Sequence, residues 1–429
     1  MGESSGLMNR IIYLKEHGRL SKKYSQYVYD IGINLHEKRF GEKLKFLGIT
    51  HDMRASYYIG ADWLDEKNNL AVVVLPKKDM EKVDYFKMFM SCLENNLSPD
   101  YFSSIYGIDY ERKFISCAHF QDQITPLLVM HYLTVLKGLV KRGLKRDYVL
   151  QEDNLHCKIR GRILVSENLH ANVIPHRLDR CCCSYQEYTV DNNENRLLKK
   201  ALLFSSQFIR KFSSHELYPR LLSLTNTLLS HFENIGSDIE IYQIGQVTSN
   251  KLFKDYNKAI YLAKQILRLF GYSIEKIHNQ RLETPVFWID MSRLYEVYVY
   301  GLLHKAYKSE ILFQVLGYNG CAVDFIKLDE KLIIDTKYKP KYEDGNEGII
   351  SDIRQISGYA RDEKIINHIE KEKKNNEIYP CLIIYPEKVK ENGIEVFEFD
   401  KKEKLLQKAQ PIEEFRNFYK LAVQLPFKP

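Results

Sequence analysis

The stretch Gly320-Cys-Ala-Val-Asp324-Phe-Ile-Lys-Leu-Asp-Glu-Lys-Leu-Ile-Ile-Asp335-Thr-Lys337-Tyr-Lys339 holds two β-rich runs, Cys321–Leu328 and Lys331–Tyr338, on either side of a polar Asp329-Glu330 step. That pattern predicts a β-hairpin. Asp-Glu is not a favoured two-residue turn, but any even-length loop centred there gives one register, in which partner positions sum to 659. Asp324 then lies opposite Asp335. Lys337 shares the face of Asp335 and lies opposite the small Ala322.

Directly opposed residues hold their Cβ atoms roughly 4.5–5.5 Å apart. Two carboxylates are thereby forced together on strands otherwise made of Val323, Phe325, Ile326, Leu328, Leu332, Ile333 and Ile334. They repel unless a positive charge sits between them. A divalent cation removes the conflict, and carboxylate, carbonyl and water ligands suit Mg²⁺ or Mn²⁺. Lys337 adds a point charge that orients an attacking water or stabilises a phosphorane-like transition state. The predicted metal ligands are Asp324, Asp335 and the backbone carbonyl of Thr336. A D-x-K triplet alone is common and is most often a solvated strand face, so the opposed Asp324 and the apolar flanks carry the reading.

Asp324, Ile333-Ile334-Asp335-Thr336-Lys337-Tyr338-Lys339 and Gln355-Ile-Ser-Gly-Tyr359 together resemble the PD-(D/E)xK nuclease superfamily, and within it the McrC family, the endonuclease subunit of McrBC-type modification-dependent restriction systems. Asp290-Met-Ser-Arg-Leu-Tyr-Glu296 is similar to the family's helix before the hairpin. Arg160-Gly-Arg162 and Asp191-Asn-Asn-Glu194-Asn195-Arg196-Leu197-Leu198-Lys199 match its middle region, and Val74-Leu-Pro76-Lys77 its N-terminal one. Val323 stands where the superfamily often has proline. The resemblance implies a Mg²⁺-dependent DNA endonuclease, with Asp324, Asp335, Lys337, Gln355, Tyr359 and Glu296 as candidate catalytic residues. It also implies a McrB-like AAA+ GTPase hexamer as partner, stimulated by the N-terminal domain, and double-stranded DNA, in modified form, as substrate. For Glu296 a structural role weighs equally, and Gln355 and Tyr359 fit an ordinary amphipathic helix as well.

The chain has no G-x-x-x-x-G-K-[ST] sequence, so no P-loop nucleotide site is expected in it. Two other readings stay open. One is a RecB-like DNA repair or processing nuclease that shares the hairpin and Gln-x-x-x-Tyr; the other is a noncatalytic adaptor that stimulates a GTPase ring.

Outward from the hairpin, 429 residues exceed the size at which one core stops growing. The expected fold is α+β multidomain: a β-rich partner-docking domain over residues 1–120, a mainly helical region over 121–284, and a C-terminal α/β nuclease domain with a mixed sheet over 285–429. The net charge of +7 is uneven: Pro285 onward carries 23 Lys+Arg against 24 Asp+Glu, and the earlier residues 40 against 32. A basic cluster, Lys141, Arg142, Lys145, Arg146, Lys158, Arg160 and Arg162 with Tyr148, fits a phosphate backbone or salt bridges equally. No long uncharged apolar run and no secretory signal are evident, which predicts a cytoplasmic protein without membrane contact. Eight cysteines without regular spacing fit reduced thiols, and adjacent Cys181-Cys182-Cys183 lacks zinc-site geometry.

Local patterns predict a strand over Tyr27–Leu35 and a hairpin of Ser56–Leu64 with Leu70–Leu75. Helices are predicted from Thr125 as N-cap before Pro126 to about Arg142, from Asp191 with Glu194 in a capping box, over Leu217–Phe232, and over Lys254–Phe270 closed by Gly271. Phe287–Lys308 is expected to bring in the nuclease domain with a helical stripe of Leu294, Val297, Tyr298, Gly301 and Leu302. A polar loop over Lys339–Gly348, a helix over Ser351–Ile369, and strands over Tyr379–Tyr385 and Gly393–Phe399 complete it.

Overall fold

The structure is a computed structural model that describes residues 10–30, 49, 52–77, 80, 82–92, 101, 104–109, 112–117, 121–211, 213, 218–240, 254–279, 284–318, 320–339, 349–370, 378–387, 397–401 and 403–426. The chain forms two compact units, Met1–Leu127 with Arg281–Pro429, and Leu128–Gln280.

The first unit holds two sheets. One has the order β1-β3-β2-β8-β4, from β1 (Arg10–Lys15), β2 (Tyr58–Asp65), β3 (Leu70–Leu75), β4 (Tyr106–Asp109) and β8 (Val286–Asp290). The expected β2–β3 hairpin is present and antiparallel, with Asn69 at φ 54° in its turn. β3 is apolar throughout because both faces are covered, and Ala71, Val72, Val73 and Val74 have no solvent exposure. Val286–Asp290, which the sequence places at the opening of the C-terminal domain, is instead a strand of this first sheet, paired with β2 and β4. The expected cut after residue 284 therefore falls inside one compact unit. Gly60, at φ 150°, lies so close to the backbone of Phe287 and Trp288 that a Cβ has no room there, and this close approach seats β8 on β2.

The strand expected over Tyr27–Leu35 is overturned as far as it is described: Lys22–Asp30 is a helix, and residues 31–35 lie outside the described residues. The same letters carry two periods. Tyr24, Tyr27 and Val28 fall on one helical face against the first sheet's core, whereas Tyr29, which alternation would bury with Tyr27, is 80% exposed.

The second sheet has the order β13-β14-β12-β11-β10-β9 and is mixed, as expected for the C-terminal region. β9 (Ile311–Leu316), β10 (Ala322–Lys327) and β11 (Leu332–Thr336) are antiparallel; β12 (Cys381–Pro386) and β14 (Phe418–Val423) continue parallel to β11, and β13 (Gln410–Pro411) closes the edge. Helix Met291–Tyr307 follows β8 directly, capped by the Asp290 carboxylate, which accepts the Arg293 N–H at 3.1 Å. Its Tyr300 ring stacks on Phe313 of β9 and Phe325 of β10.

The single helix expected over Ser351–Ile369 is two, Ile349–Tyr359 and Glu363–Ile369. Asp362 starts the second by accepting from the Lys364 and Ile365 N–H groups, a cap that competes with continuation of the first helix. Ile353, Ile356 and Ile365 pack with Val323, Ile326, Ile333 and Ile383 of the sheet. Each such side chain contributes roughly 1.5–3 kcal/mol on full burial. Of the strand expected over Gly393–Phe399, residues 393–396 lie outside the described residues and 397–399 form no strand. Most of the polar loop, 340–348, also lies outside them.

The second unit contains helices Asn193–Arg210, Tyr218–Ser230 and Lys254–Asn279 and most of Gln121–Arg142. The last of these begins before Thr125, so Pro126 is inside the helix and Thr125 is not its cap. It ends at Arg142, where Gly143 takes φ 96°. Helix Lys254–Asn279 runs through Gly271 instead of stopping there. Asn192, not Asp191, caps Asn193–Arg210; Asp191 instead pairs with Arg196 at 2.7 Å. An antiparallel sheet not legible in the sequence, β5 (Asp147–His156), β6 (Arg162–Ile163) and β7 (Arg180–Thr189), carries the three adjacent cysteines on β7. Among the described residues no helix is long and apolar enough to cross a membrane.

Candidate active site

The hairpin register is the one read from the sequence: Phe325 pairs with Ile334, Ile326 with Ile333 and Lys327 with Leu332. The loop is the four residues Leu328–Lys331, with Lys331 at φ 51°. Continued by one pair, the ladder sets Asp324 against Asp335. The ladder itself stops at Phe325, and the reason is local. Ile333 and Lys337 donate their N–H groups to β12, to the carbonyls of Pro380 at 3.0 Å and Ile384 at 2.9 Å. By alternation the Thr336 N–H and C=O face β10. There the Asp324 carboxylate takes the Thr336 N–H at 2.7 Å and its hydroxyl at 2.6 Å, in place of a main-chain rung. The strands part at that point, with the two aspartates and the Thr336 carbonyl beside the gap.

Asp335 is 2% exposed, and its Oδ2 lies 2.6 Å from the Lys337 amine. Lys337 also donates to Gln355 Oε1 at 2.9 Å, and Gln355 Nε2 donates to the Tyr359 hydroxyl at 3.0 Å. The one-turn spacing of Gln355 and Tyr359 puts both on the same side of their helix. Burial, and then the charge of Glu296, push the Asp324 carboxyl up to about 7. Burial, and then the charge of Asp324, do the same for Asp335, with Lys337 opposing. Burial would pull the Lys337 amine down, but Asp335, Asp352 and Asp324 together outweigh it and the net shift is upward. Two acids that resist ionising together, with one lysine between the second of them and a glutamine, form a site with an unmet demand for positive charge.

Glu296, on helix Met291–Tyr307, is buried and brings a third carboxyl to this cluster; its pKa is raised by burial, with Asp335 adding to the shift. The Gln314 amide donates to Glu296 Oε1, and the Tyr101 hydroxyl and Arg293 also lie against it. Gln314 is directly across β9 from Asp324 in register and takes φ 52°, an uncommon conformation for a non-glycine strand residue. Below Lys337, Lys339 binds Asp352 at 2.8 Å, and Asp352 adds to the upward pressure on Asp335.

Thus Asp324, Asp335, Thr336, Lys337, Gln355, Tyr359 and Glu296, all chosen from sequence, are in one place. Sequence reading missed Tyr101, Gln314 and Asp352. No spacing rule reaches Tyr101, which is far away along the chain, or predicts the backbone twist at Gln314. Among the described residues no three His, Cys, Asp or Glu side chains converge on one point as a preformed metal cage. The oxygens at the strand gap that could hold a hard cation are the Asp324 and Asp335 carboxylates and the Thr336 carbonyl. The basic cluster of the second unit is partly spoken for: Lys145 pairs with Glu194 at 3.1 Å, and Arg160 lies 4.1 Å over the Tyr185 ring and near Glu187.

The fold and site define a mixed α/β protein with a paired-aspartate and lysine cluster at the parting of two central strands. The chain belongs to the family described as McrBC 5-methylcytosine restriction system component, whose model matches residues 53–380. No curated protein matches it. Two solved structures are similar: a half-complex from a tetradecameric assembly of Thermococcus gammatolerans McrB AAA+ hexamers with bound McrC (18% identity, TM-score 0.36, covering 97% of this chain and 95% of that one), and the cryo-EM structure of the Thermococcus gammatolerans McrBC complex (18% identity, TM-score 0.29, covering 69% and 88%).

Proposed function

We propose that the chain is the metal-dependent endonuclease subunit of a McrBC-type restriction complex, of PD-(D/E)xK type, cutting double-stranded DNA when assembled with an AAA+ GTPase hexamer. The observation that carries this reading is the buried Asp335, opposite the half-buried Asp324 in the hairpin register, with Lys337 held between Asp335 and Gln355. Family membership supports the restriction-system context.

Asp324, Asp335 and the Thr336 carbonyl would hold Mg²⁺, or Mn²⁺ in its place; both are hard cations suited to such oxygen donors. Burial, with the charge of Glu296 on Asp324 and of Asp324 on Asp335, raises both aspartate pKa values, and a divalent ion would relieve that cost of ionising them. When bound, the ion supplies Lewis acidity at the phosphoryl oxygen and acidifies a water. The remaining work falls to the chain. Lys337, aimed by Gln355 and Tyr359, orients the water and places positive charge where the phosphorane-like transition state gathers negative charge. Hydrolysis joins the water oxygen to phosphorus, breaks one P–O bond and leaves a proton on the departing oxygen. Glu296, held by Gln314 and Tyr101, orients the cluster from behind.

The test combines this chain with a McrB-type partner, Mg²⁺ and GTP on methylated and unmethylated circular plasmids. Cleavage of the circles by wild type, and its loss in Asp335→Asn and Lys337→Met with GTPase stimulation retained, is the expected result. Cleavage by both variants at the wild-type rate would sink the assignment, and a requirement for DNA ends would exclude the restriction reading.

A further inference from the structure

Val74-Leu-Pro76-Lys77 takes no part in the cluster above, yet its lysine reaches the strand that bears it. Lys77 Nζ donates to the main-chain carbonyl of Tyr338 at 2.8 Å and sits 3.9 Å over the Tyr338 ring. The Lys77 N–H donates to Glu16 Oε2 at 3.1 Å. Glu16 is 5% exposed and follows β1, where its own N–H donates to the Leu75 carbonyl at 2.9 Å. Tyr338 is 4% exposed, and the Tyr295 ring packs at 5.8 Å from it. Glu16 and the rings of Tyr57 and Tyr338 lie against the half-buried lysine, so its charge is met by a carboxylate and π-faces.

Tyr338 is the residue after Lys337. The β10 ladder ends at Ile334, and beyond it β10 holds the segment that carries Lys337 through a side chain, the Asp324 carboxylate on Thr336. β12 holds it from one side through the Lys337 N–H. We infer that Lys77 is a positioning residue for the proposed hydrolysis: by gripping the carbonyl and ring of Tyr338 it fixes the backbone from which Lys337 reaches Asp335 and Gln355. The first sheet thereby sets the geometry of a site built on the second. The inference rests on the nuclease reading above. A misplacement of about 1 Å at such a group costs up to roughly 10²-fold in rate.

The experiment uses the full chain with its GTPase partner and measures cleavage kcat, half-saturating DNA concentration, stimulated GTPase rate and thermal midpoint for Lys77→Met, Lys77→Gln and Lys77→Arg. Lys77→Met is expected to lower kcat about tenfold or more, with the half-saturating DNA concentration and the GTPase rate within about twofold of wild type. Lys77→Arg, which keeps both the donor and the cation over the ring, restores most of the cleavage. Lys77→Gln keeps a donor without the charge and replaces Lys77→Met if that variant does not fold. Cleavage by Lys77→Met or Lys77→Gln within twofold of wild type overturns the inference. So does equal impairment of folded Lys77→Arg, or a loss of cleavage matched by an equal loss of GTPase stimulation. Wild type that fails to cleave refutes the nuclease reading instead.

Discussion

Replacing Asp324 with Asn removes one of two facing charges while leaving an oxygen to accept from Thr336. In the native state Asp324 is shifted from 3.8 to about 7, and Asp335 moves the same way. A carboxyl with a raised native pKa binds its proton more tightly when folded. Its contribution to stability is fully present below the unfolded value and is lost as pH rises through about 7. A shift of that size corresponds to a ceiling of ~4 kcal/mol. Asn at 324 ends that loss and takes a neighbouring charge off Asp335, but burial still raises Asp335, so the recovery is on the order of 2 kcal/mol. In EDTA, wild type should therefore lose thermal stability as pH rises from about 4 to about 7 and change little above that. Asp324→Asn should match it near pH 4 and exceed it by roughly 4 °C at pH 8.5. The assay is thermal unfolding of the full chain followed by circular dichroism, with plasmid cleavage measured alongside. A wild-type midpoint indifferent to pH across that window, or a variant less stable at pH 8.5, would refute the reasoning; so would a variant that still cuts DNA.

Mg²⁺ should raise the wild-type midpoint at pH 8.5, by the equivalent of ~2.7 kcal/mol at a hundredfold excess over its dissociation constant, and should leave Asp335→Asn unmoved. Apparent Mg²⁺ affinity, read by the same melts, should weaken as pH falls below about 7, because the aspartates must lose their protons to bind it. Gln355→Ala should cut cleavage kcat on the order of tenfold by freeing the Lys337 amine, and Tyr359→Phe should cost less, with partner stimulation unchanged in both. Gly60→Ala should destabilise the first unit by about 3 kcal/mol or more in thermal or urea unfolding, since the added Cβ meets the Phe287–Trp288 backbone.

Where the sequence could be read, one constraint applied at a time. The β10–β11 hairpin was legible because an even loop between two β-rich runs admits a single register, and the β2–β3 hairpin because a polar turn separates two apolar runs. Residues 22–30 misled because Tyr24, Tyr27, Val28 and Tyr29 satisfy strand and helix periods over so short a span. β5 escaped because its polar residues, such as Gln151, Glu152, Asp153 and Asn154, show no buried face. β14 carries Lys420 in its middle and is only half-buried, so it too lacked a strand signature.

The sequence by itself determined which residues confront one another across the hairpin, because side-chain alternation and loop parity are properties of the local chain. It likewise determined the helical spacing of Gln355 and Tyr359. Only the tertiary structure decided that Val286–Asp290 completes the first sheet, that Tyr101 and Gln314 close around Glu296, and that Lys77 grips Tyr338. Those contacts join segments far apart along the chain, and they are selected by the burial of whole sheet faces together with the need of each buried charge for a partner, which no local pattern encodes.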